Sequence, residues 1–382
     1  MKKTFGITLF ILFLFVFSFA FIERSNIELK ASDLIYEGDL ALHSKSASMM
    51  ELSSGKFIYN KNENERLAPA SMTKIMTMIL VMEAIKSERI TLDDMVVATK
   101  EACELGGSQI YLELNEKMSV DDLIKSMAIA SANDATMALA IYVGGNEENF
   151  VSMMNERARD LGLENTHFVN PYGFDHEDHY SSSHDMAIMS AHLINNYPEI
   201  LEYTSRYEDY VREDTKKFWL VNTNKLVRFM DGVDGLKTGW TKNAGYCLSC
   251  TILKNGKRFL AVAMNASSPE LRNKDISAML NFGINNYDVI KYKVKGEVVE
   301  EIKDIRIKPD IYHLIVEKDI NILVKKNING NNISSEVKNG KIKVFVNEEF
   351  YNEYDLSLDV VLEKKNFFDL LLDFIKSVFL KD

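Results

Sequence analysis

The spacing of hydrophobic and polar positions changes along the chain. After Pro69, apolar residues recur every three or four positions, which predicts a helix. They are Ile75, Ile79, Met82 and Ile85. The apolar stretch 127–142 holds Ser131, Asn133 and Asp134 in its first half, and two helices joined by a polar turn explain this best. Three further segments with a helical pattern are 150–161, 186–195 and 271–286.

Strand-like alternation marks two hairpins in the same part of the chain. Short β-like stretches between 46 and 61 flank a turn signal at 53–56. Alternating segments also flank Asn255-Gly256, and an Asn-Gly step between such segments is a strong hairpin signal. Helices before and after an antiparallel sheet predict an α+β architecture.

The pattern changes again after Tyr287. Short alternating strands with Asn-Gly steps at 329–330 and 339–340 predict a small all-β domain that ends near Glu363. A length of 382 residues exceeds what one hydrophobic core usually organises, so a second, smaller domain is expected.

Both ends of the chain carry apolar segments. Lys2 and Lys3 precede an apolar run up to Ile22, which predicts a signal peptide over 1–20 with cleavage after Ala20. An uncleaved membrane anchor is the alternative, and either one predicts an exported protein, at the outer face of the cytoplasmic membrane or in the cell wall.

At the other end, residues 364–382 predict an amphipathic helix that lies in a membrane interface. Its apolar face runs from Phe367 to Leu380, beside a polar stripe of Asp369, Asp373 and Lys376. The helix would be about 21 Å long, too short for a bilayer core of ~30 Å. Packing against the protein's own β domain is the alternative.

Composition excludes several classes of protein. Charged residues make up 26% of the chain and hydrophobic residues 46%, which is typical of a globular protein and not of a disordered one. The net charge of −11 argues against binding of nucleic acid. Cys247 and Cys250 have C-x-x-C spacing, but on a strand they face opposite ways, so we interpret them as packing residues and not as a redox or metal pair.

Three short motifs carry the candidate chemistry. Ser71 and Lys74 are three residues apart at the start of a predicted helix, which puts a hydroxyl nucleophile beside an amine that can accept its proton. This S-x-x-K pattern alone is common. It is followed by Ser131-Ala132-Asn133 in the polar turn and by Lys237-Thr238-Gly239 at a strand, an ordered set found in penicillin-binding proteins and serine β-lactamases.

The residues around these motifs narrow the match. The segments 67–77, 131–135, 165–171 and 232–239 closely resemble the low-mass penicillin-binding proteins that are D-alanyl-D-alanine carboxypeptidases. The resemblance implies a transpeptidase-like fold with a helical lobe and an antiparallel sheet over 40–287. The β domain at 288–363 and the terminal helix match the layout of that family.

The resemblance also implies a role for each motif residue. Ser71 attacks the carbonyl between the last two D-alanines of a peptidoglycan stem pentapeptide and forms an acyl-enzyme, with Lys74 as the base. Ser131 relays a proton to the leaving amine, Lys237 holds the Ser131 hydroxyl, and Asn133 bonds the substrate backbone. β-Lactam antibiotics are then expected to acylate Ser71.

The strand residues complete the expected site. A bare Gly239 leaves room for an extended substrate against an open strand edge. By resemblance, the backbone N–H groups of Ser71 and Trp240 form the oxyanion hole, although the family often has histidine at that second position. Thr238 and Arg272 are candidates to bind the free carboxylate of the substrate, and a helix-surface arginine is the alternative for Arg272.

No metal or other cofactor is expected. His176, His179 and His184 lie near Glu177, Asp178 and Asp185, but their spacing fits no zinc hydrolase motif, and structural hydrogen bonding is the better interpretation. A β-lactamase and a non-catalytic wall-binding protein are the alternatives to a carboxypeptidase. A β-lactamase of the same fold needs a glutamate before the sheet, and Glu164 has the wrong spacing to Asn170. A non-catalytic wall-binding paralogue conflicts with the intact motifs.

Overall fold

The computed structural model describes residues 34–326 and 332–379. The predicted signal peptide and the Asn-Gly step at 329–330 lie outside these residues. The strands of the first part are β1 (Ser46–Glu51), β2 (Lys56–Lys61), β3 (Met95–Val97), β4 (Lys117–Ser119), β5 (Glu208–Val211), β6 (Phe218–Val221), β7 (Val233–Thr241), β8 (Gly245–Lys254) and β9 (Lys257–Ala266). Its helices are α1 (Lys74–Lys86), α2 (Lys100–Cys103), α3 (Val120–Ile129), α4 (Asn133–Gly144), α5 (Glu147–Asp160), α6 (Ser183–Asn196), α7 (Leu201–Thr204), α8 (Leu226–Phe229) and α9 (Pro269–Asn286).

A five-stranded antiparallel sheet in the order β2-β1-β9-β8-β7 forms the centre of this part. Helix α9 packs on one face and α6 on the other, so each face has its own apolar core. Cys247 belongs to the core on one face and Cys250 to the core on the other, which confirms that the two thiols point apart. The α+β prediction is therefore correct.

The hairpin predicted at Asn255-Gly256 is confirmed. Asn255 (φ 53°) and Gly256 (φ 74°) both adopt the left-handed conformation that a tight hairpin between twisted strands requires. Strands β8 and β9 pair directly on either side of it, from Lys254 opposite Lys257 onwards. The hairpin at 53–56 is also present, between β1 and β2.

Helix α1 is surrounded by the helical lobe. Every side chain from Lys74 to Met82 is buried, and α1 contacts α4, α5 and α6. Residues 120–144 form two helices, as predicted, with the break at Ser131, whose φ of 62° turns the chain out of α3. This break brings the Ser131-Ala132-Asn133 motif beside the start of α1.

The remaining part is all-β, as predicted. Its strands are β10 (Tyr287–Lys293), β11 (Val298–Lys303), β12 (Ile307–Lys308), β13 (Ile311–Val316), β14 (Ile320–Lys325), β15 (Ile333–Lys338), β16 (Lys341–Val346), β17 (Glu349–Leu358) and β18 (Glu363–Lys364). Five of them form a sheet in the order β11-β13-β17-β16-β15 around a separate apolar core. Asn339 and Gly340 make the predicted turn between β15 and β16.

Helix α10 (Phe367–Phe379) follows β18. Its side chains Phe367, Phe368 and Phe374 are exposed, so they are not buried against the β region. Lys365 forms ion pairs with Asp373 of this helix and with Asp310 of the β region. Among the helices of residues 34–326 and 332–379, none is long and apolar enough to span a bilayer.

Candidate active site

Ser71 lies in a tight turn, the 3-10 segment Ala70–Thr73, which leads directly into α1. Two glycines allow the turn to be closely packed from both sides. A Cβ at Gly173 would lie 1.9 Å from the carbonyl oxygen of Ala70, and one at Gly239 would lie 2.6 Å from that of Pro69. No side chain fits at either position, so the placement of the nucleophile depends on both.

This packing corrects the interpretation of Gly239. The sequence predicts that its missing side chain leaves room for substrate, whereas in the structure its open side faces the turn that carries Ser71. The sequence also predicts an open strand edge beside Gly239. Strand β7 is last in the sheet and pairs only with β8, so its other edge is free of strand pairing within the described chain.

Lys74 is fully buried and sits at the centre of the site. Its Nζ lies 2.9 Å from Ser71 Oγ, 2.8 Å from Asn133 Oδ1 and 2.8 Å from the Tyr172 carbonyl oxygen. The oxygens of Asn133 and Tyr172 can only accept hydrogen bonds. An ammonium would donate to all three oxygens, whereas a neutral amine can donate its two N–H groups to Asn133 and Tyr172 and accept the hydroxyl proton of Ser71 with its lone pair.

Electrostatics favour that neutral form. Burial lowers the pKa of Lys74 well below its usual value, and the nearby positive charge of Lys237 lowers it further. The Asp134 carboxylate acts in the opposite direction, but its oxygens accept hydrogen bonds from the backbone N–H groups of Ile110, Leu112 and Ala135. A lowered pKa favours the neutral amine that a general base requires.

The Tyr172 carbonyl is a part of the site that the motifs did not reveal. Asn170 holds its loop, because Asn170 Oδ1 accepts from the backbone N–H of Gly173 at 2.6 Å and of Phe174 at 3.1 Å. Thr77 of α1 donates to the Pro171 carbonyl at 2.6 Å. The sequence signal was the segment 165–171, which matches the family but contains no catalytic side-chain pattern.

His179 ties the same loop to the nucleophile turn. Its Nδ1 accepts from the backbone N–H of Val169 at 3.1 Å, which leaves Nε2 to donate to Thr73 Oγ1 at 2.7 Å. Burial lowers the pKa of His179 to about 3, so the ring is neutral at physiological pH. Structural hydrogen bonding is therefore what this residue does. Within the described chain, no three His, Cys, Asp or Glu side chains are grouped as metal ligands.

Ser131 and Asn133 both reach the site, but Asn133 has a different first contact from the one expected. Its Oδ1 accepts from Lys74, and its Nδ2 donates to the Gly106 carbonyl at 2.8 Å. One N–H of the amide remains for substrate. Ser131 is 5% exposed and lines the same pocket as Ser71. Asn133 thus fixes Lys74 in addition to any contact with substrate.

Lys237 approaches from β7 and is 1% exposed. Its Nζ donates to the Thr238 carbonyl at 3.1 Å and not to the Ser131 hydroxyl, so the predicted Lys237–Ser131 bond is absent from this structure. Burial, together with the charge of Arg272, lowers the pKa of Lys237 to about 7. The Thr238 hydroxyl donates to Thr223 Oγ1 at 2.6 Å.

Arg272 lies in the first turn of α9 and is 5% exposed, so it is not a surface arginine. Its guanidinium donates to Asn273 Oδ1 at 2.9 and 3.1 Å and to the Cys247 carbonyl at 3.5 Å. In the part of the chain that the structure describes, it has no ion-pair partner. A buried cation without an anion is electrostatically costly and marks a place where a ligand can supply the anion.

Part of this site lines one pocket of about 480 Å³. It is lined by Ser71, Ser108, Ser131, Thr223, Lys225, Thr238, Gly239, Trp240, Tyr246, Pro269, Glu270, Arg272 and Asn273. The Trp240 side chain is 59% exposed beside Tyr246, with ring centroids 6.0 Å apart. The pocket lining thus includes both the Ser71 hydroxyl and the Arg272 guanidinium.

The fold and the site together define a serine-type peptidase with a penicillin-binding-protein architecture. A model of the peptidase S11 family of D-alanyl-D-alanine carboxypeptidases matches residues 34–268. The D-alanyl-D-alanine carboxypeptidase DacF of Bacillus subtilis is 47% identical over 301 residues, which cover 78% of this chain and 77% of that protein. The chain therefore belongs to the D-alanyl-D-alanine carboxypeptidase family.

Solved structures agree with this assignment. Penicillin-binding protein 5 of Haemophilus influenzae has 28% identity to this chain and a TM-score of 0.76. The match covers 86% of this chain and 100% of the Haemophilus chain. Penicillin-binding protein D2 of Listeria monocytogenes, solved in its ampicillin-bound form, has 31% identity and a TM-score of 0.59. That match covers 65% of this chain and 100% of the Listeria chain.

Proposed function

We propose that Ser71 and Lys74 are the nucleophile and base with which this carboxypeptidase removes the terminal D-alanine of peptidoglycan stem pentapeptides. The observation that carries this is the position of the buried Lys74 Nζ, which lies 2.9 Å from Ser71 Oγ and is fixed by two further oxygen acceptors. Lys74 accepts the hydroxyl proton while Ser71 Oγ bonds to the carbonyl carbon of the penultimate D-alanine.

The tetrahedral intermediate carries its negative charge on the former carbonyl oxygen. We assign the backbone N–H groups of Ser71 and Trp240 to that oxygen, since the nucleophile turn packs against β7 at Gly239 and brings both to the pocket. Collapse breaks the C–N bond, and the leaving amine receives a proton through Ser131. Water then hydrolyses the Ser71 ester and regenerates the hydroxyl.

The free carboxylate of the terminal D-alanine is assigned to Arg272 and Thr238. Among the described residues Arg272 is a buried cation with no ion-pair partner, and a guanidinium binds a carboxylate through two parallel hydrogen bonds. Asn133 would use its remaining N–H for the substrate backbone. No cofactor takes part in these steps.

β-Lactams are proposed to acylate Ser71 and to leave slowly. Among the described residues that line the pocket, only Glu270 carries a carboxylate, and it belongs to α9 and not to the loop before the sheet. The loop glutamate that a class A β-lactamase uses to activate water is therefore not found in the pocket. This favours the carboxypeptidase over the β-lactamase.

Two assays test this assignment on the same preparations. A labelled penicillin should attach to Ser71 and persist, and a synthetic pentapeptide should release D-alanine. The Ser71→Ala variant should lose both. A wall-binding protein without activity would bind peptidoglycan equally well in both forms and release no D-alanine, and labelling at another residue would contradict the assignment of the nucleophile.

We further propose that the protein is exported and held at a membrane surface by α10. Ion pairs of Lys365 with Asp373 and Asp310 connect the polar side of α10 to the β region, while Phe367, Phe368 and Phe374 stay exposed. Truncation after Glu363 should release an enzyme that still hydrolyses a pentapeptide. If both forms stay in the membrane fraction, the amino-terminal segment anchors the protein instead.

A further inference from the structure

A second pocket, of about 380 Å³, has no part in the steps above. It is lined by Ile110, Tyr111, Glu113, Glu116, Arg212, Thr215, Lys216 and Phe218. Tyr111 is 68% exposed, and its ring meets that of Phe218 edge-on with centroids 6.1 Å apart. A large aromatic side chain that remains this exposed in a concave pocket offers an unoccupied ring face to a ligand.

The backbone of the pocket is held in a strained form. Tyr111 (φ 58°) and Arg212 (φ 57°) both adopt the left-handed conformation, which a residue with a Cβ rarely does. The Arg212 guanidinium stabilises the turn by donating to the carbonyls of Ile110 at 2.7 Å and Tyr111 at 3.3 Å. Such strain, maintained by dedicated hydrogen bonds, often marks a site that presents a side chain to a ligand.

The charges of the pocket are paired within the protein. Arg212 Nε contacts Glu116 Oε1 at 2.5 Å, and Lys216 forms an ion pair with Glu113. Since neither basic group lacks an acid, the pocket has little attraction for a charged ligand. The combination of an exposed ring face with neutralised charge suits an uncharged ligand that has C–H groups on one face and hydroxyls at its edge, which describes a sugar ring.

The position of the pocket specifies which sugar. Ser108 lines the catalytic pocket, and its carbonyl accepts from the backbone N–H of Asn133 at 2.7 Å. Tyr111 is three residues further along, so its Cα lies within about 11 Å of that of Ser108. Four residues of a stem pentapeptide separate the bond that is cleaved from the sugar that carries the peptide, and they span up to about 14 Å when extended.

We propose that Tyr111 and Phe218 bind the sugar of the peptidoglycan strand to which the stem peptide is attached, while the end of that peptide occupies the catalytic pocket. This inference rests on the proposed function. It makes the enzyme select a peptide that is joined to glycan over a free peptide, through stacking on Tyr111.

The test compares two substrates with the full chain, namely a free pentapeptide and the same pentapeptide joined to its disaccharide. The wild-type protein should have a KM about tenfold lower for the disaccharide pentapeptide, the size of one good aromatic contact. The Tyr111→Ala variant should lose that preference without a change in the KM for the free peptide or in the rate of penicillin labelling.

Trp219→Ala is the matched control. Trp219 is 55% exposed on the same β5–β6 hairpin, but it follows Phe218 directly and so faces the opposite side. It should keep the full preference. Equal KM values for both substrates in the wild-type protein, an equal loss in both variants, or slower penicillin labelling of Tyr111→Ala would each overturn the proposal.

A direct binding measurement does not depend on any variant. The peptide-free disaccharide should bind the wild-type chain and shift the fluorescence or NMR signal of Tyr111, and absence of binding at millimolar concentration would contradict the proposal. Failure of the proposed function looks different, since then neither pentapeptide would release D-alanine.

Discussion

The two sides of the catalytic pocket hold buried lysines in opposite settings. On the α1 side, Lys74 contacts three fixed oxygen atoms, two of which can only accept. On the β7 side, Lys237 has one carbonyl acceptor, and its neighbour Arg272 forms no ion pair in the described chain. The first side is complete before substrate arrives. The second holds basic groups whose charge a substrate carboxylate would balance, so in our proposal it serves recognition and the first serves chemistry.

Among the variants that test this comparison, replacement of the proposed base Lys74 should slow the reaction most. Lys74→Met keeps the length and apolar stem of the side chain but removes the proton acceptor, so acylation of Ser71 by penicillin should slow by about 10³-fold. Rapid-quench labelling measures the rate. Lys86→Met, at the exposed end of the same helix, should label at the wild-type rate. Unchanged labelling of Lys74→Met would move the base role to the β7 side.

Replacing Arg272 should separate recognition from stability. In Arg272→Met, kcat/KM for a pentapeptide with a free carboxylate should fall by about 100-fold, the upper range for one charged hydrogen-bonded pair. The same peptide with a terminal amide should react equally with both forms. Because an unpaired buried cation is removed, the Tm should not fall.

The control for this variant is a paired arginine. Arg258 contacts Asp234 at 2.7 Å, so Arg258→Met should lower the Tm and leave the kinetics unchanged. If Arg272→Met lowered the Tm, and if kcat/KM changed by the same factor for the carboxylate and the amide peptide, Arg272 would be a structural residue.

Displacing the nucleophile turn from β7 should have a smaller effect. A Cβ in Gly239→Ala would lie 2.6 Å from the Pro69 carbonyl and 3.1 Å from Ala70 Cβ, so the turn must shift. We expect about tenfold slower penicillin labelling, in line with the sensitivity of reaction rates to small misplacements. In Gly256→Ala nothing lies within 4 Å of the new Cβ, so only stability should suffer from its φ of 74°.

The last expected effect is on stability and not on rate, namely a pH dependence of unfolding. Burial lowers the pKa of Lys237 from its ordinary 10.5 to about 7 in the folded chain, so the unfolded chain binds more protons between these values. Stability should therefore rise as pH increases from 7 towards 10, and the cost of burying the charge is fully present below pH 7. Lys74 contributes with the same sign.

Thermal unfolding between pH 6.5 and 9.5 measures this rise in Tm. Lys237→Met should reduce the slope and leave the part due to Lys74, whereas replacement of the partly exposed Lys254 by Met should leave the slope unchanged. A Tm that falls across this range in the wild-type chain and rises in Lys237→Met would show that Lys237 is charged in the fold.

The sequence by itself determined the elements whose cause is local. An Asn-Gly step favours a hairpin because Asn and Gly adopt positive φ more readily than other residues. The i, i+3 spacing places Ser71 and Lys74 on one helix face wherever the helix lies. Strand alternation was enough to place Cys247 and Cys250 in separate cores. The three motifs in their order identified the family.

Only the tertiary structure decided what surrounds those motifs. The Tyr172 carbonyl reaches Lys74 across 98 residues of sequence, and every residue has a carbonyl, so no residue type marks the one that is used. The open side of Gly239 faces the turn at Pro69, Asn133 accepts a hydrogen bond from Lys74, and Arg272 is buried with no ion-pair partner among the described residues. Burial and close approach depend on which distant segments pack together, and the residues next to a given residue in the sequence do not determine this.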